Sequence, residues 1–135
     1  MSNRVLRVLV FNDSPAVLDT LKKWLEIHGH VARAVQLSDN REGYDGTVEL
    51  IRSFRPDAIV FDVGLSYVSN WDFLDVLRQT PALRSFPFVV TTPNTAVLDN
   101  LVGKPTNAIE LVGREDDLTE ILRAVEAAAS RAEPV

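Results

Sequence analysis

The sequence contains no cysteine and no long apolar run. Without cysteine, disulfide bonds and thiolate metal sites are excluded. No stretch approaches the ~20 apolar residues that a membrane-spanning helix requires, and the first four residues lack the apolar segment of a secretory signal. We therefore expect a cytoplasmic protein that makes no membrane contact.

Basic side chains are also scarce: 14 lysines and arginines stand against 19 acidic residues, which gives a net charge of −5. Nucleic-acid binding needs a basic surface that displaces counterions from phosphates, so this balance argues against a direct nucleic-acid partner. The length of 135 residues and the hydrophobic content of 46% predict a single domain over residues 1–135. Its core is expected to run from about residue 4 to residue 129.

Five apolar segments have the length and composition of β-strands. The third is the clearest, because four consecutive apolar residues, Ala58 to Phe61, are followed by Asp62 and soon by Gly64. This pattern predicts a strand that is buried on both faces and brings Asp62 to the surface at its carboxyl end. The five predicted strands span residues 5–11, 31–37, 58–61, 88–91 and 108–112.

Helical patterns separate these strands, and their boundaries are marked by capping and breaking residues. Asn70 is the predicted N-cap residue of the third helix. The other boundary signals are a long loop over 38–46 before a helix at 47–54, an interruption of the fourth helix at Gly103-Lys104-Pro105, and a capping box of Asp117 and Glu120 that opens the last helix.

Five strands that alternate with helices predict a parallel sheet covered by helices on both faces. Right-handed crossovers and reversals of winding give a flavodoxin-like, doubly wound (βα)5 α/β fold with strand order 2-1-3-4-5. Ligand sites in such sheets gather at the carboxyl ends of the strands. Asn12, Asp13 and Asp62 are therefore predicted to meet at the switch point, with Thr92 and Arg114 at the ends of the neighbouring strands.

The residues predicted to meet at this edge have the chemistry of a phosphoryl-transfer site. Asp13 and Asp62 repel each other unless a cation lies between them, and a hard divalent ion such as Mg²⁺ prefers oxygen ligands. A metal-bound carboxylate beside a hydroxyl and a fixed cation can attack phosphorus in line, because the cations neutralise the phosphoryl oxygens. The expected product is an aspartyl phosphate.

With these residues in place, the chain resembles the receiver domains of two-component response regulators over essentially its whole length. In that family an acidic pair ends the first strand, the phosphoacceptor aspartate ends the third, a threonine or serine ends the fourth, and a lysine followed by proline ends the fifth. Here those places are taken by Asn12-Asp13, Asp62, Thr92 and Arg114-Glu115, with Thr92 lying 30 residues after Asp62 and Arg114 another 22 residues on.

The resemblance implies a role for each residue. Asp62 would be the nucleophile that takes a phosphoryl group from a histidine kinase or a phosphotransfer protein. Asp13, the Asp62 carboxylate and the backbone carbonyl of Gly64 would hold Mg²⁺, with Asn12 assisting through water. Thr92 would donate its hydroxyl to a phosphoryl oxygen, and Arg114 would supply the positive charge.

The sequence also departs from the family pattern, and these departures support an alternative. Asn12 removes one negative charge from the metal site, and Arg114 offers a wide planar fork where the family has a compact ammonium. Glu115 replaces the proline, and Leu111 stands where the fifth strand normally has an aromatic residue. The alternative is a phosphorylation-independent pseudoreceiver that acts as a protein–protein interaction module.

Simpler interpretations of single residues stay open at this point. Asp13 could be a helix-capping residue, Thr92 an ordinary turn residue, and Arg114 a surface partner of nearby acidic residues. We expect no independent enzyme activity on small molecules, because Gly64 stands where phosphatases of the aspartyl-phosphate kind have a second aspartate. Output is expected to pass through an unidentified downstream protein, and a homodimer remains open.

Overall fold

The computed structural model describes residues 4–39 and 43–132, which contain five strands and five α-helices. The strands are β1 (Arg7–Asn12), β2 (Val31–Gln36), β3 (Ala58–Asp62), β4 (Phe88–Thr92) and β5 (Ile109–Glu110). The helices are α1 (Pro15–Ile27), α2 (Gly43–Phe54), α3 (Tyr67–Gln79), α4 (Thr95–Val102) and α5 (Asp117–Ala132). Short 3₁₀ turns lie at Leu37–Asp39 and Pro81–Leu83. None of the helices in the described ranges is long and apolar enough to cross a membrane.

All five strands form one parallel sheet in the order β2-β1-β3-β4-β5, so the predicted fold class and topology are confirmed. The chain reverses its winding between β1 and β3, which are neighbours in the sheet. The carboxyl ends of β1, β3 and β4 therefore lie side by side. Asp62 at the end of β3 is in register with Thr91 of β4, not with Thr92.

Alternate side chains of each central strand pack against different helices. Val8, Val10 and Val60 belong to a core with α1 and α5, whereas Leu9 and Phe61 belong to a second core with α2, α3 and α4. This alternation explains why β1 and β3 are apolar without interruption: both faces of the sheet are covered. The face of α5 that packs on the sheet carries the buried residues Ile121, Leu122, Val125 and Ala129.

The prediction of a loop over 38–46 is wrong at its end, because α2 begins at Gly43 instead of at residue 47. Two side chains anchor this early start: the Thr47 hydroxyl donates to the Gly43 carbonyl at 2.7 Å, and the Tyr44 hydroxyl lies 2.6 Å from the Thr80 hydroxyl. The beginning of the predicted loop forms the 3₁₀ turn, and positions 40–42 lie outside the described residues.

The start of α3 was also predicted too late. Ser66, not Asn70, is the N-cap residue, and Asn70 lies inside the first turn with its backbone N–H bonded to the Ser66 carbonyl. The break in the fourth helix is confirmed, since α4 ends at Val102 and Gly103 follows with φ 87°. At that φ a residue with a side chain would be strained, so glycine is suited to end the helix there.

The fifth strand is shorter than predicted, with two residues in place of the five over 108–112. Leu111 still donates its N–H to the Thr92 carbonyl at 2.8 Å, after which the chain turns away from the sheet. The capping box is wrong as well. The Asp117 carboxylate binds the N–H groups of Val112, Gly113 and Arg114, which precede α5, each at 2.9 Å.

Candidate functional site

Asp62 is the centre of the candidate site, and the structure buries it. Asp62 is only 9% exposed. The sequence predicts that β3 brings this residue to the surface, and the structure shows it less exposed than that prediction. A buried carboxylate has lost hydration, and its charge must be balanced by whatever lies nearby.

Burial raises the pKa of Asp62 from 3.8 to about 6. A hydrogen bond from Thr91 lowers the pKa and so opposes this effect, while the negative charge of Asp13 raises it further. The carboxylate is therefore mainly ionised at pH 7, as a nucleophile must be, but it is held at an energetic cost.

The hydroxyl at Asp62 comes from Thr91. Thr91 is fully buried and donates its hydroxyl to Asp62 Oδ1 at 2.6 Å, in a hydrogen bond to a charged acceptor. Thr92 ends β4, as predicted, and donates its hydroxyl to the Val63 carbonyl at 2.7 Å. Its role towards a phosphoryl oxygen stays a prediction. The register of β3 and β4 places Thr91, not Thr92, opposite Asp62.

Asn12 and Asp13 lie at the end of β1, as predicted. The Asp13 carboxylate accepts the Ser38 N–H at 2.7 Å, and its backbone carbonyl accepts the Gln36 side-chain amide at 3.0 Å. The Asn12 side-chain oxygen accepts the Ser14 N–H at 2.9 Å. These bonds fix the turn between β1 and α1 on which Asp13 lies.

Arg114 does not reach Asp62. Its guanidinium is paired with the Glu110 carboxylate, and the residue lines a groove of about 560 Å³ between α1 and α5. Glu110 also accepts the backbone N–H and the hydroxyl of Thr95 at 3.0 and 3.2 Å, and the pKa of Glu110 is lowered, above all by the Thr95 N–H. Because β5 ends at Glu110, Arg114 lies beyond the strand end at which it was predicted, and its role towards a phosphoryl group stays a prediction.

Gly64 lies close to the Asp62 carboxylate. A Cβ atom built on Gly64 would be 3.3 Å from Asp62 Oδ2 and 3.8 Å from the ring of Pro93, so the absence of a side chain leaves this oxygen uncrowded. The Gly64 carbonyl accepts a hydrogen bond from the Asn70 side-chain amide at 3.0 Å. Oδ1 is thus committed to Thr91, while Oδ2 faces the one residue of the loop that has no side chain.

Comparison with known proteins gives relatives over almost the whole chain, although no family model matches it. The response regulator MprA of Mycolicibacterium vanbaalenii is 33% identical over 133 residues, which cover 96% of this chain and 52% of that protein. The chain thus spans about half the length of the curated relatives it matches. The chain is a homologue of response regulators.

Solved receiver structures have the same fold as this chain. The receiver domain of a sensor histidine kinase from Pseudomonas aeruginosa PAO1, with a magnesium ion coordinated in its active site cleft, superimposes with a TM-score of 0.69 at 18% identity, over 94% of this chain and 99% of that one. The chemotaxis response regulator CheY4 of Vibrio cholerae gives 0.64 at 17% identity, over 90% and 99%. At these identities the likeness establishes the fold, and the residues of the site must be judged on their own geometry.

The oxygen atoms at the site fit a small, hard cation. Among the described residues there is no group of three or more acidic or imidazole side chains that could hold a metal, so Asp13 and Asp62 would supply the carboxylates and a neutral oxygen would complete the protein ligands. The Gly64 carbonyl is such an oxygen. Mg²⁺ keeps several water ligands and is commonly bound by one or two carboxylates, so this sparse set suits it better than Ca²⁺.

Proposed function

We propose that this receiver homologue is a phosphoacceptor switch of a cytoplasmic phosphorelay, in which Asp62 takes a phosphoryl group from a histidine kinase or a phosphotransfer protein. The observation that carries the proposal is the buried Asp62 carboxylate, bonded to Thr91 on one oxygen, open towards Gly64 on the other and close enough to Asp13 for repulsion. A downstream partner protein would read the phosphorylated state.

The residues would divide the reaction between them as follows. Asp62 Oδ2 forms the new bond to phosphorus while the bond to the donor's nitrogen or oxygen breaks on the opposite side. Thr91 holds Oδ1 and so orients the carboxylate for this attack. Mg²⁺, when bound by Asp13, Asp62 and the Gly64 carbonyl, with Asn12 assisting through water, would neutralise the phosphoryl oxygens.

The proposal is tested by phosphorylation of the intact chain. Incubation with Mg²⁺ and a small phosphodonor such as acetyl phosphate is expected to add one phosphoryl group, seen by intact-mass spectrometry, and Asp62→Ala is expected to abolish the adduct. Asp72→Ala, at an exposed aspartate of α3, is the matched control and should keep it. A wild-type chain without an adduct under several donors would overturn the proposal.

Thr91→Val and Thr92→Val form a matched pair that tests which hydroxyl serves Asp62. Loss of the Thr91 hydroxyl removes a hydrogen bond to a charged group, so phosphorylation should slow by on the order of tenfold. Thr92→Val leaves the Val63 carbonyl without its 2.7 Å donor, so about 1 kcal/mol of stability should be lost with little change in rate. Phosphorylation rates from the mass assay and stabilities from urea unfolding separate the two effects. Slow phosphorylation of Thr92→Val together with a wild-type rate for Thr91→Val would show that Thr92, not Thr91, serves Asp62.

A pseudoreceiver that binds partners without phosphorylation is the second candidate, and the Arg114–Glu110 pair favours it. Among the described residues, Thr91 and Asp13 are the groups that shift the pKa of Asp62, and no cation acts on it. A phosphoryl group on Asp62 would therefore lack the positive partner that Arg114 was predicted to supply. This function predicts no phosphate adduct and little affinity for Mg²⁺ at Asp13 and Asp62.

A further inference from the structure

The loop between β3 and α3 carries the Gly64 carbonyl, and one side chain beyond the loop fixes it. The Asn70 amide donates to this carbonyl at 3.0 Å, and the Asn70 backbone N–H bonds to the Ser66 carbonyl at 3.0 Å. Both the backbone and the side chain of Asn70 are therefore held by hydrogen bonds in the first turn of α3. The N-cap residue Ser66 makes no side-chain cap bond, so the Asn70 side chain is the one that ties the start of the helix to the preceding loop.

Of the two neighbours of Gly64 in the loop, Val63 is held by other contacts and Leu65 is exposed to solvent. Val63 is buried, its N–H donates to the Thr91 carbonyl at 2.7 Å, and its carbonyl accepts the Thr92 hydroxyl. Leu65 is 81% exposed. Gly64 has no side chain to pack and the widest choice of backbone conformations, so the direction of its carbonyl depends on the Asn70 hydrogen bond.

We propose that Asn70 is a positioning residue for the cation of the phosphoacceptor site. The inference rests on the proposed function, in which the Gly64 carbonyl is the neutral ligand beside Asp13 and Asp62. A carbonyl oxygen has two acceptor positions, so the Asn70 amide can occupy one and leave the other to the metal. Hydrogen-bond partners of ligand atoms orient those ligands and set metal affinity, and a neutral amide does this without adding a charge that would repel Mg²⁺.

Asn70→Ala and Asn70→Leu separate this role from a structural one. Both remove the donor; leucine keeps nearly the size of asparagine, and both residues have a higher helix propensity than asparagine, so α3 itself is not weakened. Asn100→Ala is the matched control, because Asn100 is exposed in the helix α4. In the absence of Mg²⁺ all three variants should unfold within a few degrees of the wild type.

The test is an NMR titration of the full chain with Mg²⁺, followed at the ¹³C carbonyl of Gly64 and the amides of Asp13 and Asp62. We expect the wild type and Asn100→Ala to bind with equal Kd, and Asn70→Ala and Asn70→Leu to bind roughly tenfold more weakly or worse. Wild-type affinity in both Asn70 variants would overturn this inference and leave the proposed function standing. A wild type that shows no shifts at Asp13 and Asp62 would overturn both.

Discussion

Asp62→Asn is expected to raise the free energy of unfolding by roughly 3 kcal/mol at pH 7. Burial raises the pKa of Asp62 from 3.8 to about 6, Thr91 lowers it in part, and Asp13 adds to the rise. At pH 7 the Asp62 carboxylate is ionised in both states, but its charge is less favourable in the folded chain than in the unfolded chain. Asparagine removes the charge, keeps the shape and retains an oxygen that accepts the Thr91 hydrogen bond.

The gain should depend on pH in a defined direction. Below pH 3.8 the carboxyl is protonated in both the folded and the unfolded chain, so wild type and variant should be equally stable there. As the pH rises from 3.8 to 6, the unfolded chain loses its proton first, and the wild type loses stability relative to the variant. Above pH 6 the difference is complete.

Urea unfolding at pH 4 and pH 7 in the presence of EDTA measures this difference directly. Asp72→Asn, at an exposed aspartate of the first turns of α3, serves as the control and should change stability by no more than about 0.5 kcal/mol. A pH-independent difference, or none at pH 7, would show that the Asp62 charge is better solvated than its burial indicates.

The same charge connects stability with the proposed chemistry. A cation between Asp13 and Asp62 relieves their repulsion, so a chain that binds Mg²⁺ gains stability by mass action, and Asp62→Asn should gain less. In the proposed function, the energetic cost of keeping both carboxylates ionised would favour binding of the metal.

The position of Asp62 could be predicted from the sequence because it depends on patterns that extend over many residues. A run of apolar residues buried on both faces identifies β3, and alternation of strands with helices fixes the sheet order that brings β1 beside β3. These features involve many residues, so single errors at boundaries do not change them. The end of β3 and its neighbours follow from them.

The choice between Thr91 and Thr92 depends on one step of register, which apolar patterns determine poorly. Successive strand residues point to opposite faces, so a shift of one residue replaces the hydroxyl at Asp62 with one directed at the Val63 carbonyl. Two threonines in a row give no compositional sign of which one faces the site. The pairing of Asp62 with Thr91 appears only once β3 and β4 are aligned.

The contacts of Arg114 and Asn70 could not be predicted for a different reason. Both positions are decided by single side-chain contacts with loop or terminal residues: Arg114 by Glu110, and Asn70 by the Gly64 carbonyl. Arginine near a strand end and asparagine near a helix start each have several possible partners in the sequence. Local propensity therefore identifies the residue types that matter and not the atoms that they bind.

Asp117→Ala is expected to destabilise the chain by about 2–4 kcal/mol at pH 7. Asp117 is 3% exposed, and one of its oxygens accepts three backbone N–H groups, from Val112, Gly113 and Arg114, each at 2.9 Å. A single hydrogen bond to a charged acceptor contributes about 1.5–3 kcal/mol, and three that share one oxygen are not additive. Removal of the carboxylate leaves the turn between β5 and α5 without its central acceptor.

The pH dependence of Asp117 should be opposite to that of Asp62. Desolvation raises the pKa of Asp117, but the three N–H groups outweigh it and the pKa is lowered overall. Its contribution to stability is thus present above 3.8 and lost as the pH falls through the lower value in the folded chain. Urea unfolding should show a large loss for Asp117→Ala at pH 7 and a smaller one at pH 3, whereas Asp116→Ala, at an exposed neighbour, should lose no more than about 0.5 kcal/mol. Equal stability of the two variants would mean that packing of Leu118 against the α1–α5 core holds the turn, and that the carboxylate only follows a backbone already in place.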